Sequence, residues 1–337
     1  MTARTWFGAV ALSLLLALGF AGEGVVVAPA FAQQIGTATT QPGTDVEGNA
    51  AMWRAIRQGG QGQVSIPDTQ AGRLIQSQGE SWRSIRNGPL STYGAWALLG
   101  MVVLLALFFV IRGRIRIEHG WSGRTIERFN GIERFAHWLT ATTFIVLALT
   151  GLNLLYGRYI LLPLIGPGPF ATISMWGKIA HNYVAFAFAL GVLMMIVLWI
   201  GHNIPNKYDL EWIMRGGGMF TRGSHPPSRK FNAGQKVLYW SVVLGGIALT
   251  WTGIALMFPF EFGGMRDMQF MQLVHAAVAV ALIAIIVAHV YIGTLGMEGA
   301  FDAMGTGMVD ENWAREHHNI WVAEVRGERL PGHGHDD

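Results

Sequence analysis

Hydrophobic positions along this chain arrive in blocks of bilayer length. Five stretches, Tyr93–Ile111, Phe135–Tyr156, His181–Ile200, Val237–Phe258 and Met271–Leu295, hold no Asp, Glu, Lys or Arg in their interiors. A spanning helix needs roughly 20 mostly apolar residues, so the pattern predicts five transmembrane helices. A sixth stretch, Phe7–Phe20, differs in kind. It follows Arg4, has the length of a secretory-signal core and leads to Ala30-Phe31-Ala32, an A-x-A cleavage signature. Residues 1–32 therefore read as a signal peptide cut before Gln33. A retained first helix is the alternative, because Gly22–Val27 lengthens the apolar region. Residues 33–92 form a polar segment with two echoing pieces, Trp53–Arg57 and Trp82–Arg86. Two copies make no repeat architecture. Docking to a partner or the bilayer surface, and two short amphipathic helices without special role, stand as equal readings.

Charge gives the blocks a direction. The loop after the first span, residues 112–134, carries Arg112, Arg114, Arg116, Arg124, Arg128 and Arg134. The loop after the third carries Lys207, Arg215, Arg222, Arg229, Lys230 and Lys236. The other two connections hold only Arg158, Lys178 and Arg266. The positive-inside rule places both basic loops in the cytoplasm. The mature N-terminus is then periplasmic, and residues 296–337 form a cytoplasmic tail. Signal peptide and charge bias give the same orientation.

Composition narrows the chemistry. Only 13% of the residues are charged, against about 25% in ordinary globular domains. The absence of cysteine excludes disulfides, cysteine-ligated iron–sulfur clusters and covalent c-type haem. The basic residues flank the spans instead of covering a soluble face, which argues against nucleic acid.

Four of the eleven histidines, His137, His181, His275 and His289, lie at or within the edges of spans. An ionisable residue at membrane depth is costly and points to function. His275 and His289 are 14 residues apart on one helix, which puts them about 40° apart in direction and roughly 21 Å apart along the axis. With the orientation above, the four sort by depth into an outer pair, His181/His275, and an inner pair, His137/His289. Neutral imidazoles are good iron ligands, and two axial histidines leave no open site for oxygen chemistry. The pattern predicts two bis-histidine haems forming an electron path across the bilayer. Thr150-Gly151, Gly191 and Thr252-Gly253 would admit a macrocycle, although ordinary helix packing explains such small residues better. His202, before Pro205, is the rival inner ligand, but a loop or quinone-side role suits it better. His119, His225, His317, His318, His333 and His335 read as solvated.

At this point the residues resemble a known family, the gamma (cytochrome b) subunit of membrane-bound respiratory formate dehydrogenase. The matching elements are Arg134-Phe135-Ala136-His137-Trp138, His202-Asn203-Ile204-Pro205-Asn206-Lys207, Phe231-Asn232-Ala233-Gly234-Gln235-Lys236, His275-Ala276-Ala277 and Ala288-His289-Val290-Tyr291, with a late Trp313–His318. The resemblance covers roughly residues 125–325, and its His-Asn-Ile-Pro and Asn-Ala-Gly-Gln-Lys elements are specific. It implies two b haems on the same four histidines and a cytoplasmic-side quinone site at Asn232, Gly234 and Gln235, beside His289. It also implies two partners: an iron–sulfur (beta) subunit and a molybdenum- or tungsten-containing catalytic (alpha) subunit. The chain itself has no formate-oxidising site, since it lacks cluster cysteines and a dinucleotide fingerprint in context. The N-terminal extension and extra span depart from the minimal family pattern.

The expected fold is an all-α integral membrane helical bundle: four haem-binding transmembrane helices (residues 135–295) plus one extra N-terminal span (93–111), in a bacterial inner membrane. The expected function is electron transfer from the iron–sulfur subunit through two haem b groups to ubiquinone or menaquinone. The alternatives are a cytochrome b subunit of a nickel–iron hydrogenase or thiosulfate reductase, and, in another class, a haem-free transporter or anchor. The absence of H-E-x-x-H argues against a zinc protease.

Overall fold

The computed structural model describes residues 79–220 and 223–330. The signal peptide, Trp53–Arg57, His333 and His335 lie outside these residues, while Trp82–Ile85 falls in a short helix, Gly79–Ile85. Among the described residues, five helices are long and apolar enough to cross a membrane. The chain is therefore an all-α integral membrane protein. We label the five spans α1 (Ser91–Arg112), α2 (Gly131–Ile165), α3 (Pro167–Trp199), α5 (Ala233–Met257) and α6 (Met265–Tyr291), with α4 (Lys207–Met214) a short helix between α3 and α5. Large apolar side chains such as Leu104, Val110, Leu149 and Val197 point outward, as lipid requires.

Local sequence sets the helix ends. Asn130, Asn206 and Asn232 each cap a helix start and are answered by Glu133, Asp209 and Gln235 in reciprocal capping boxes. Gly166, with φ of 78°, turns α2 into α3, and Pro167 opens the next helix. The α2–α3 and α5–α6 hairpins assemble into the four-helix core, and α1 lies along α6. Gly191 makes the α2–α3 crossing possible, because a Cβ there would come within 3.1 Å of the Thr140 backbone nitrogen.

Two expectations need correction. The second and third spans are longer than the apolar blocks: α2 starts four residues before Phe135, and α3 starts fourteen before His181. Arg158 and Lys178 end an apolar run without breaking a helical backbone. His137 therefore sits within the second turn of α2, and His181 lies mid-helix.

The second correction concerns the tail. Residues 296–330 fold onto the loop 112–134 as a cap. Strand β1 (Thr125–Glu127) pairs antiparallel with β2 (Met308–Asp310), matching Ile126 to Val309. Helices α7 (Glu311–His317) and α8 (Asn319–Arg326) follow. The tail supplies carboxylates to the arginine-rich loop. Asp310 accepts from Ser122 and Gly123 backbone nitrogens at 2.9 and 3.1 Å. Glu316 accepts from the Glu118 and His119 nitrogens, and Glu311 pairs with Arg124, Arg315 and Arg326. His317 and His318, expected in solvent, are drawn into this cap. His318 is 1% exposed, with Nδ1 2.8 Å from the Arg229 carbonyl.

Candidate functional site

Helix α6 carries two histidines that meet two different neighbours. His289 faces His137 of α2, ring centres 6.1 Å apart, and His275 faces His181 of α3 at 6.2 Å. These are the pairs that the depth argument selects. A metal held between two imidazoles, at about 2 Å per bond, spaces the ring centres by roughly 6 Å. Among the described residues no three His, Cys, Asp or Glu side chains converge on a metal position. Each pair thus suits a metal that brings its other ligands with it, as haem iron does.

The surroundings test that fit. A cavity of about 230 Å³ lies among α2, α3, α5 and α6, against His181 and His275. Its walls include Phe144, Leu147, Phe188 and Ile283, and Arg86 and Lys178 also border it. A Cβ on Gly151 would meet only His181 Cε1, and one on Gly253 only His275 Cε1, each at 3.5 Å. These two glycines therefore front the space beside the imidazoles. The helix-packing explanation holds for Gly191 but not for them. Nδ1 of His137 is buried without a hydrogen-bond partner.

Sequence reasoning missed the threonines as partners of the histidines. Thr150 Oγ1 lies 2.8 Å from His181 Nδ1, and Thr252 Oγ1 lies 2.8 Å from His275 Nδ1. The signal was present as the Thr-Gly echo between the second and fourth spans.

The remaining candidates gather at the end of the bundle that carries the basic loops. His202 follows α3, with its ring centre 6.4 Å from that of Phe231. Asn232 caps α5 through its side-chain oxygen, and Gln235 Oε1 accepts from the Asn232 backbone nitrogen at 3.1 Å. Gly234 gives room to Trp212, since a Cβ there would lie 2.8 Å from the indole. Arg128 reaches the same oxygen of Gln235 at 3.2 Å and the Lys230 carbonyl at 2.8 Å. Its guanidinium is sandwiched between Phe129 and Trp313. Burial lowers Arg128 to about 9, opposed by the Glu133 carboxylate, so it stays charged at neutral pH. Glu133, one turn before His137, accepts from Trp199 at 2.9 Å and Lys230 at 2.6 Å. This ties residues 228–235 to the start of α2.

Helical spans with facing histidine pairs and glycines beside the imidazoles define a membrane cytochrome of the b type. The chain belongs to the prokaryotic cytochrome b561 family, whose model matches residues 128–307. It is similar to the cytochrome b556 subunit of nitrate-inducible formate dehydrogenase from Escherichia coli K12, 29% identical over 208 residues, 60% of this chain and 93% of that one. A second formate dehydrogenase cytochrome b556 subunit of the same strain is 29% identical over 205 residues, covering 60% and 94%. The counterpart from Haemophilus influenzae is 24% identical over 196 residues, covering 57% and 79%. These matches support the resemblance to formate dehydrogenase gamma subunits. Helix α1 and most of the cap lie outside residues 128–307.

Proposed function

We propose that this chain is the membrane-anchoring cytochrome b subunit of a formate dehydrogenase, transferring electrons from an iron–sulfur partner through two b haems to a membrane quinone. The observation that carries the reading is the pair of facing histidine couples, with ring centres 6.1 and 6.2 Å apart. Haem, when bound, would supply one-electron redox chemistry, and two imidazole ligands would leave its iron closed to other ligands. His137 and His289 hold the inner group, and His181 and His275 the outer one. Arg86 and Lys178, at the border of the outer cavity, offer charge to the haem carboxylates.

Quinone binds at Asn232, Gly234 and Gln235. The side-chain oxygens of Asn232 and Gln235 are already engaged in capping. Their NH₂ groups remain as donors, which quinone carbonyls require. The relatives are named as subunits of formate dehydrogenases, and the family resemblance implies the partners: an iron–sulfur subunit and a molybdenum- or tungsten-containing catalytic subunit. The location is a bacterial inner membrane with the basic loops and the cap in the cytoplasm. Formate oxidation outside and proton uptake by quinone inside would then build membrane potential.

The test is a reduced-minus-oxidised spectrum with haem quantitation on the detergent-purified chain and four His→Ala variants. Two b haems are expected in the wild type. His137→Ala and His289→Ala remove one of them, and His181→Ala and His275→Ala remove the other. Folded wild-type protein without haem refutes the reading.

A further inference from the structure

We propose that Thr150 and Thr252 are positioning residues of the outer pair, fixing His181 and His275 with hydrogen on Nδ1, presenting Nε2 to the metal and lowering that site's midpoint potential. This rests on the two-haem reading above.

The argument is one of proton counting. A threonine hydroxyl has one proton and two lone pairs. Thr150 Oγ1 lies 2.8 Å from the Val146 carbonyl and 3.1 Å from that of Leu147. Thr252 Oγ1 lies 2.7 Å from the Ala248 carbonyl and 3.3 Å from that of Leu249. Both hydroxyls thus donate backward to their own helix, the usual behaviour of threonine inside a helix. The imidazole nitrogen at 2.8 Å meets a lone pair and must be the donor. Each ring then carries its hydrogen on Nδ1, and Nε2 keeps the lone pair a metal needs.

Such a bond also makes the imidazole a more basic ligand. A more basic ligand favours ferric over ferrous iron, so the outer site takes a lower potential. The inner pair is built differently, because His137 Nδ1 is buried with no partner. The repeated arrangement, Thr-Gly on one helix and histidine on the next, occurs at Thr150-Gly151/His181 and Thr252-Gly253/His275. Glycine opens the space, and threonine aims the ring.

The test uses the full chain with haem bound, comparing Thr150→Val, Thr252→Val, the double variant, Thr150→Ser and Thr252→Ser. Valine keeps the shape and removes the hydroxyl; serine restores it. Midpoint potentials are read by spectroelectrochemical titration, and haem affinity by reconstitution. In each valine variant the haem assigned to His181/His275 shifts to higher potential, and further in the double variant. Outer-haem affinity falls by about 10- to 100-fold. Serine variants return to wild-type values. If a valine variant sheds the outer haem entirely, retention in its serine counterpart supports the role, and loss in both overturns it. Two haems at unshifted potentials in the valine variants overturn this inference alone, as does a shift confined to the inner haem. Wild-type protein without haem overturns the underlying reading instead.

Discussion

An imidazole among packed helices has two nitrogens to satisfy, and the two pairs here solve that problem differently. His181 and His275 spend one nitrogen on a threonine hydroxyl of the neighbouring helix, while His137 leaves Nδ1 unmatched. The four histidines were legible in the sequence because a polar ring in an apolar block is rare and its spacing fixes its depth. The threonines were not, because a helical threonine normally satisfies itself on its own backbone and leaves no mark in a hydropathy pattern. Gln235 shows the same limit: its motif was visible, whereas its bond to Arg128 joins residues 107 positions apart. That bond shapes a prediction. Gln235→Glu preserves both acceptor contacts, to Arg128 and to the Asn232 nitrogen, but replaces the NH₂ donor with an oxygen. One hydrogen bond of about 1–1.5 kcal/mol is lost, so KM for quinone rises about five- to twelvefold. The haem spectrum stays as in the wild type. An unchanged KM would remove Gln235 from the quinone site.

Secondary-structure elements were legible where helix and apolar block nearly coincided, as at α1, where Ser91–Arg112 matches the stretch Tyr93–Ile111. They were misjudged where the helix outran its apolar block, as in α2 and α3. The cap of β1, β2, α7 and α8 escaped altogether, because each piece is short and gains stability only against the loop 112–134 and residues 228–229. The cap also makes the basic end sensitive to acid. Burial drives His317 down to about 4, with Glu316 opposing and His225 and Arg128 assisting. Burial and the Arg128 charge drive His318 well below the ordinary 6.5. A histidine neutral in the fold and protonated when released favours the open form once pH drops below 6.5. At lower pH the carboxylates add to this. Burial opposes the charge of Asp310, yet its hydrogen bonds from Ser122 and Asn312 hold it below its ordinary 3.8. The Arg315 hydrogen bond likewise holds Glu311 below 4.5, so their contribution is lost on further acidification. Amide protection of residues 308–326, corrected for intrinsic exchange, should fall steadily from pH 6.5 towards 4. Flat protection across that window would contradict this account.

For the whole molecule, the question is which end faces the cytoplasm. The basic loops and the carboxylates that answer them lie at one end of the bundle, and the α2–α3 turn lies at the other. A cysteine-free chain permits a direct test with a membrane-impermeant maleimide on intact cells. Ala171→Cys should be labelled from outside, and Arg114→Cys should react only after the inner face is exposed. The reverse pattern would invert the proposed direction of charge movement. By itself the sequence determined the membrane class, the number of candidate spans and which histidines face each other. Those properties follow from local composition and from the fixed rise and turn of a helix. The tertiary structure decided which threonine aims which histidine, which glycines face a cavity and which seat a crossing, and how the polar tail closes over the basic loop. Such contacts join residues far apart in the chain, where one-dimensional periodicity carries no information about who meets whom.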